Sequence, residues 1–471
     1  MFIGRSEELN SLNQAYTTNV FQMAVVYGRR RVGKTFLLHE FTHDKPHTIF
    51  FTALESTAQD NLVQLSRAIL NVNSPTLFPS TASPTFSSYD EALSYVFDKA
   101  EHERIVLVID EYPYLAQSEP SISSILQKMI DQRRASSQLF LILCGSSMSF
   151  MEHQVLGEKS PLYGRRTLQL KLKPFTIFDA QQMLRTTDAV STIEFYSLVG
   201  GMPFYLAQLD AKQTIEWNIA NKILNKTSYL SIEPENYLMQ ETRSPAKYYA
   251  IINTIAHGSE KPVDIAHATH MSGPASIAPY LNTLQALGIV KRIAPLIKAN
   301  RKQVLYHIAD NLFRFWFRFV PSYASALDAG LHNAVAHHIL EHDFSTFVGT
   351  SFESICRQWI MYQARAGKLP FIPANIGCWW GADPIKKEQA EIDIVATGLD
   401  GELLLGECKW HNKPVDLDVL STLSHRATFL QSGYNHVYLF LFSKNGFSEQ
   451  CIAEAKLKKN VTLVSVDRMF E

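Results

Sequence analysis

Residues 23–35 read Met-Ala-Val-Val-Tyr-Gly-Arg-Arg-Arg-Val-Gly-Lys-Thr, and this stretch decides the fold. Met23–Tyr27 is a continuous apolar run, the pattern of a strand covered on both faces. Gly28 to Thr35 then satisfies G-x-x-x-x-G-K-[ST], and the following TFLLHEF opens a helix. Strand, glycine loop and helix in that order present loop amides and a helix N-terminus at one place, which is a cradle for phosphate. The residues assigned to it are Gly28, Arg29, Arg30, Arg31, Val32, Gly33, Lys34, Thr35 and Phe36. The glycines let the backbone approach phosphate oxygens without a Cβ clash. Lys34 is expected to reach the β and γ phosphates of ATP, and Thr35 to give Mg²⁺ a hydroxyl ligand.

The partner to this loop lies at 104–111, Arg-Ile-Val-Leu-Val-Ile-Asp-Glu. Five apolar residues make a buried strand, and Asp110 falls at its carboxyl end, where parallel sheets bind ligands. Asp110 is expected to hold Mg²⁺ through water, and Glu111 to orient and deprotonate the attacking water. A third apolar run, Leu139–Cys144, ends in Gly145, Ser146 and Ser147. Ser146 or Ser147 can sense the γ-phosphate or the lytic water; a plain strand-end turn is the alternative. Gly164-Arg165-Arg166 offers an arginine to the transferring phosphoryl group, in cis or in trans, or else only a surface ion pair.

Outward from this core, residues 1–175 alternate strands (23–27, 48–53, 105–109, 139–144, 168–172) with amphipathic helices, predicting a mostly parallel α/β sheet. A Pro/Ser/Thr-rich loop is expected over 73–88. Residues 176–240 lose the strand signal and predict a helical lid, broken at Gly200-Gly201-Met202-Pro203. Residues 241–310 predict helices at 245–256, 262–269 and 274–287, then strands at 289–296 and 304–308, the order of a winged-helix domain. Pro274 and Pro279 should shorten the third helix or break its first turn. A helical connector follows over 311–345, where the aromatic segment 312–320 with Arg314 and Arg318 predicts a buried amphipathic helix. Residues 346–471 predict a second, smaller α/β domain: helix 347–366, strands 392–396 and 402–409, helix 416–430, strand 437–442, helix 449–458 and strand 462–466.

Composition sets bounds on function. The 471 residues carry a net charge of -1, so no global basic field advertises nucleic acid, and any such surface must be local. Cys144, Cys356, Cys378, Cys408 and Cys451 lack C-x-x-C spacing and suit a reducing compartment, the cytoplasm by default. The N-terminus has no signal-peptide pattern, and the longest apolar run is far short of a membrane span. His267, His270, His332, His337, His338 and His342 lack the spacing of a zinc site, and an exposed helical face explains His338 and His342. The basic turn after residue 289 holds Lys291, Arg292, Lys298, Arg301 and Lys302 with no acidic residue between 289 and 302. Such a turn can clamp DNA phosphates. The helix before it has no Lys or Arg, only Ser276, Asn282, Thr283 and Gln285 for bases, so a packing or protein-interaction role stays open.

A second acidic cluster lies near the end. Asp393 sits in EIDIVA, and Glu407-Cys408-Lys409 in LLLGECKW fourteen residues on. Glu407 and Lys409 share a strand face. With Asp393 beside them, two carboxylates can hold Mg²⁺ or Mn²⁺ while Lys409 positions water, a workable phosphodiester hydrolysis site. Glu353 on the helix FESICRQW can add a carboxylate, and Glu391 shares the face of Asp393. A folded but inactive module and an ordinary core salt bridge are the alternatives.

The segments FIGRSEELNSL at 2–12, YGRRRVGKT at 27–35, LVIDEYPYL at 107–115, ILCGSS at 142–147 and GGMPFYL at 200–206 resemble the ATPase-2 family, archaeal and bacterial ATPases of the AAA+-related STAND group. The resemblance spans about 1–210. It implies that Ile3, Gly4 and Arg5 lie near the adenine and that Pro203 lies near the nucleotide. Residues 346–471 resemble the DUF234-type domain often fused to these ATPases, of the PD-(D/E)xK nuclease superfamily. The usual proline before the aspartate is absent here, where Ile392 precedes Asp393. Together these imply an ATP-driven switch or motor that positions a DNA-binding, metal-dependent nuclease-like module. The alternatives are a regulatory DNA-binding ATPase with an inactive nuclease-like domain, and a protein-interaction scaffold. A homo-oligomer or a partner protein would supply the arginine if it acts in trans.

Overall fold

The computed structural model describes residues 2–70, 84–297 and 303–471. Most of the loop expected at 73–88, together with Lys298, Arg301 and Lys302, lies outside the described residues. The chain forms two compact units, Met1–Pro174 and Phe175–Glu471.

The first unit is built on five strands, β1 (Gln22–Tyr27), β2 (Thr48–Thr52), β3 (Ile105–Asp110), β4 (Leu139–Gly145) and β5 (Leu168–Lys171). Their order is β2-β3-β4-β1-β5, and every pairing is parallel. Every residue of β3 and β4 is buried, which is why both read as unbroken apolar runs with no alternation. Helices Ala58–Leu70, Tyr89–Ala100 and Ile122–Arg133 bury apolar faces in the same core through Leu65, Leu93, Val96, Leu126 and Ile130. Ser88 fixes the start of the second by accepting from the Glu91 amide. Parallel register brings the carboxyl ends of three central strands together: Tyr27 lies opposite Gly145, and Ile109 opposite Leu143. The phosphate loop, Asp110 and Ser146 all leave the sheet at this edge.

In the second unit, helices Ile177–Leu184, Ala189–Val199 and Tyr229–Glu241 carry the segment without strands. The first starts on a capping box from Thr176 and Asp179. The break expected at 200–203 is present: one helix ends at Val199 and the next begins at Pro203. Gly201 is required there because its carbonyl accepts from the Phe175 amide at 2.7 Å, and a Cβ would fall 1.8 Å from the Phe175 carbonyl oxygen.

Helices Pro245–Ala256, Pro262–Ala268 and Pro274–Ala286 precede an antiparallel hairpin of β6 (Val290–Ile293) and β7 (Leu305–Ile308). Ile251, Ile265, Ile277, Leu281 and Leu284 form their common core. The third helix is not broken as its prolines predict. Pro274 occupies the first turn, where its missing N–H costs nothing, and Pro279 sits inside a helix that continues to Ala286. Helix Asn311–Phe319 buries Leu312, Phe313, Phe315, Trp316, Phe317 and Phe319.

Helix Phe344–Arg365 leads into a five-stranded sheet of β8 (Pro373–Ala382), β9 (Gln389–Gly398), β10 (Glu402–Lys409), β11 (His436–Ser443) and β12 (Val461–Ser465), ordered β12-β11-β10-β9-β8. β8, β9 and β10 pair antiparallel; β10, β11 and β12 pair parallel. Strand β8 was not expected, because its sequence PANIGCWWGA shows neither an apolar run nor strict alternation. Beyond Gly377, opposite Val395, the next aligned pair on that ladder is Trp379 with Ile392. β9 therefore carries one extra residue, a bulge at 393–394.

Leu141, fully buried in the middle of β4, tests the first core. Leu141→Ala should lower the unfolding free energy by about 2–5 kcal/mol, read from urea denaturation. A loss under about 1 kcal/mol would contradict the packing described.

Candidate nucleotide site and a second acidic site

Residues Gly28 to Gly33 bend back between β1 and the helix Lys34–Thr42. Arg31 (φ 69) and Gly33 (φ 92) are both left-handed, a conformation that costs a non-glycine residue roughly 1–3 kcal/mol. Such turns curl successive amides into a concave anion cradle. A Cβ at Gly28 would come 2.7 Å from the Leu172 carbonyl oxygen, so only glycine fits where the loop leaves β1. Val32 is fully buried and anchors the loop, while Phe36 is exposed and stacks on Phe2. Lys34 is 5% exposed, and its Nζ donates to the carbonyls of Gly28 and Arg29, each at 3.0 Å. Burial pushes its ammonium below its ordinary value, against the pull of Cys144, Glu111 and Asp110. Arg30 donates to the Tyr114 hydroxyl at 2.9 Å.

The acidic wall stands beside the loop. Thr35 Oγ1 donates to Asp110 Oδ2 at 2.8 Å, and Asp110 Oδ1 accepts from the Glu111 amide at 3.0 Å. Asp110 is 2% exposed. Glu111 is itself left-handed (φ 50), and its Oε2 accepts from the Ser146 hydroxyl at 2.9 Å and the Ser146 amide at 3.2 Å. Of the two serines considered, Ser146 makes this contact. Cys144, not singled out from the sequence, lies against Asp110, and burial followed by Asp110 pushes its thiol well up. Only its place two residues before Ser146 could have drawn attention to it.

The other expected nucleotide residues are placed as follows. Gly4 and Arg5 are left-handed, and Arg5 spans the loop base by donating to the carbonyls of Val32 (3.1 Å) and Lys173 (2.6 Å). Ile3 lies just ahead of them, partly buried. Pro203 opens the short helix Pro203–Leu206 of the second unit. Arg165 is directed to Asp131 in this chain, and Arg166 follows it, partly buried. The Thr167 amide donates to the Met23 carbonyl at the start of β1, and four strand steps, roughly 13 Å, separate Met23 from Tyr27. Arg165 is held by Asp131 through Nε–Oδ1 (2.9 Å) and Nη2–Oδ2 (2.6 Å).

The second acidic cluster is assembled by the bulge in β9. Aligned pairing with β10 ends at Gly406 opposite Ile394, and the Asp393 carboxylate accepts from the Cys408 amide at 2.8 Å. Glu407 is 9% exposed; its Oε1 accepts from Lys409 at 2.9 Å and its Oε2 from Arg426 at 3.4 Å. Glu353 lies 3.8 Å from Arg357, whose guanidinium donates to the Asp393 carbonyl. Burial, then Glu407 and Glu353, pushes Asp393 up to about 7; burial also raises Glu353. Among the described residues no trio of His, Cys, Asp and Glu is grouped closely enough to hold a metal ion as placed. Arg357 follows Glu353 by four residues, a helical spacing visible in the sequence. Arg426 carries no such signal.

Two of the hairpin's basic residues, Lys291 and Arg292, are among the described residues. Lys291 turns into a cleft with Glu260, His307 and Arg314, and Arg292 is exposed. The Leu296 amide donates to the Cys378 carbonyl on β8, which seats the segment after β6 on the C-terminal sheet. His338 and His342 stack at 4.4 Å on helix His332–His342. All five cysteines are free, and among the described residues no helix is long and apolar enough to cross a membrane.

Residues 2–209 match the model of an ATPase domain predominantly from Archaea, and residues 316–423 match that of archaeal and bacterial proteins of unknown function. An uncharacterized protein of Methanocaldococcus jannaschii is 29% identical over 413 residues, covering 87% of this chain and 88% of its own. An uncharacterized ATP-binding protein of the same organism is 44% identical over 45 residues, 10% of this chain and 76% of its own. A solved Walker-type ATPase of Pyrococcus abyssi is similar in fold, with a TM-score of 0.50 and 18% identity over 67% of this chain and 96% of that one.

The raised Asp393 carboxyl has a consequence for stability. The folded state holds this proton up to about pH 7, whereas an unfolded aspartate releases it near pH 3.9. Over that window the folded state binds more protons, so stability falls as pH rises from about 4 to about 7. Asp393→Asn, which keeps an acceptor for the Cys408 amide, should flatten that fall in metal-free denaturation series. An unchanged pH profile would contradict it.

Proposed function

With residues 2–209 matching an ATPase domain predominantly from Archaea as the premise, we propose that this chain binds and hydrolyses ATP to switch a C-terminal module that contacts DNA. One observation carries the reading: Lys34, Thr35, Asp110, Glu111 and Ser146 converge where β1, β3 and β4 end. The loop amides and Lys34 take the β and γ phosphates, for which Lys34 must leave the two loop carbonyls it now caps. Thr35 and Asp110, already in contact, form the oxygen pair that fits Mg²⁺, which supplies charge neutralisation on the phosphates when bound. Glu111, aimed by Ser146, orients and deprotonates the water. Ile3, Gly4 and Arg5 border the base. Arg165 or Arg166 acts in trans, which requires a homo-oligomer and release of Arg165 from Asp131. The five free thiols suit a cytoplasmic protein.

Residues 176–240 serve as the lid, 241–310 as a winged helix for DNA, and 346–471 as a PD-(D/E)xK-like nuclease module in which Asp393, Glu407 and Glu353 would have to draw together to hold Mg²⁺ or Mn²⁺, with Lys409 to position water. A second reading, in which this module is inactive, is favoured by one feature: both oxygens of Glu407 are engaged by Lys409 and Arg426.

Lys34→Ala should abolish ATP turnover. Glu111→Gln should retain bound ATP while hydrolysis drops roughly 100-fold or more, as loss of a general base does. Steady-state phosphate release and filter-retained nucleotide measure both, and wild-type turnover in either variant would refute the assignment. Incubation of supercoiled and branched DNA with Mg²⁺ or Mn²⁺ separates the two readings of the C-terminal module. Cleavage that disappears in Asp393→Ala and Lys409→Ala supports the active one, and intact DNA with the wild type supports the inactive one.

A further inference from the structure

The cleft that receives Lys291 is a cavity of about 270 Å³ within the second unit, and Ser354 on its wall adjoins Glu353, one of the carboxylates of the proposed nuclease module. Three basic side chains face it: Lys291 from β6, and Arg314 and Arg318 one helical turn apart on Asn311–Phe319. Among the described residues none of the three has a carboxylate within ion-pair distance. The acids lining the cleft are Glu260, which lies 3.0 Å from His307 Nε2, and Asp343, and Glu353 beside the cleft attracts both Lys291 and Arg314. Arg314 lies over the Phe347 ring at 4.0 Å and donates to the Ser351 hydroxyl, yet its buried Nε makes no hydrogen bond among the described residues. A buried guanidinium donor left without an acceptor is costly. Thr346, Thr350 and Ser354 add hydroxyls to the same wall. Desolvation in the cleft, then Arg357 and Arg314, pushes the Lys291 ammonium below its ordinary value, and burial pushes Arg314 down to about 10, each against the pull of Glu353.

We propose that this cleft is a phosphate-binding site, in which Lys291, Arg314 and Arg318 hold a phosphate group and the threonine and serine hydroxyls complete its contacts. The chemistry fits: an anion relieves the mutual repulsion of the three cations, and a guanidinium fork matches phosphate oxygens. Two sources share that chemistry, free phosphate or a phosphomonoester, and the backbone of DNA. The site joins the hairpin module to helix Phe344–Arg365, so its occupant would bridge the two. The proposal does not depend on ATP hydrolysis.

The test uses the full chain carrying Lys34→Ala, which weakens phosphate binding at the nucleotide loop. Calorimetric titration with inorganic phosphate should show saturable binding, weakened at least about tenfold when Lys291→Gln and Arg318→Gln are added; both side chains are open to solvent, so the fold should survive. Arg314→Gln should do the same, with circular dichroism checking that it folds. Parallel titration with a short DNA duplex distinguishes the sources. Duplex affinity that falls in the double variant and is competed by phosphate assigns the site to the DNA backbone; duplex affinity that is unchanged while phosphate binding is lost assigns it to a free phosphate group. No phosphate binding by the folded Lys34→Ala chain, or equal binding in the double variant, would overturn the proposal.

Discussion

The hydrogen bond from Thr35 Oγ1 to Asp110 Oδ2, 2.8 Å long, joins the first turn after the phosphate loop to the end of β3. The two residues are 75 positions apart, and only the parallel register of β1, β4 and β3 brings them together. That register rests on strands buried along their whole length, so a shift of one residue would displace the site and misplace the core together. Left-handed backbone at Arg31 and Glu111 adds strain on both sides of the contact, which the buried strands beneath must hold in place. Stability of the sheet and geometry of the nucleotide site are thus one constraint.

The same logic recurs in the second unit by a different device. There β9 carries an extra residue against β8 at 393–394, its aligned pairing with β10 stops at Ile394, and the Cys408 amide donates to the Asp393 carboxylate. The bulge turns a continuous ladder into a fork with charged groups at its mouth. Glu407 is poised between Lys409 and Arg426, so the charges that would compete with a metal there are those that keep a buried carboxylate affordable without one.

Much of the first unit is legible in the sequence. Its five strands fall within about a residue or two of the sequence pattern, because the central β1, β3 and β4 are covered on both faces and read as apolar runs while the edge strand β5 alternates. That Lys34 and Thr35 fall beside Asp110 and Glu111 follows from the motif and the strand ends. Three features are not legible, each for a physical reason. β8 is held by pairing to β9, a long-range interaction that PANIGCWWGA does not announce. The bulge at 393–394 depends on two neighbouring strands at once. The position of Arg165 depends on where β5 meets β1, so a loop arginine that suits phosphate chemistry instead sits four strand steps away, paired with Asp131. The Pro279 helix shows the reverse: a local breaking signal is overruled by the packing of Ile277, Leu281 and Leu284.

The central claim is that backbone amides and one lysine beside an acidic strand end grip a triphosphate. Equilibrium calorimetry of the purified full chain with ATP and Mg²⁺ tests it most directly. The account predicts saturable binding of ATP at a single site per chain, competed by ADP. A folded chain that takes up no nucleoside triphosphate in the presence of magnesium would contradict it.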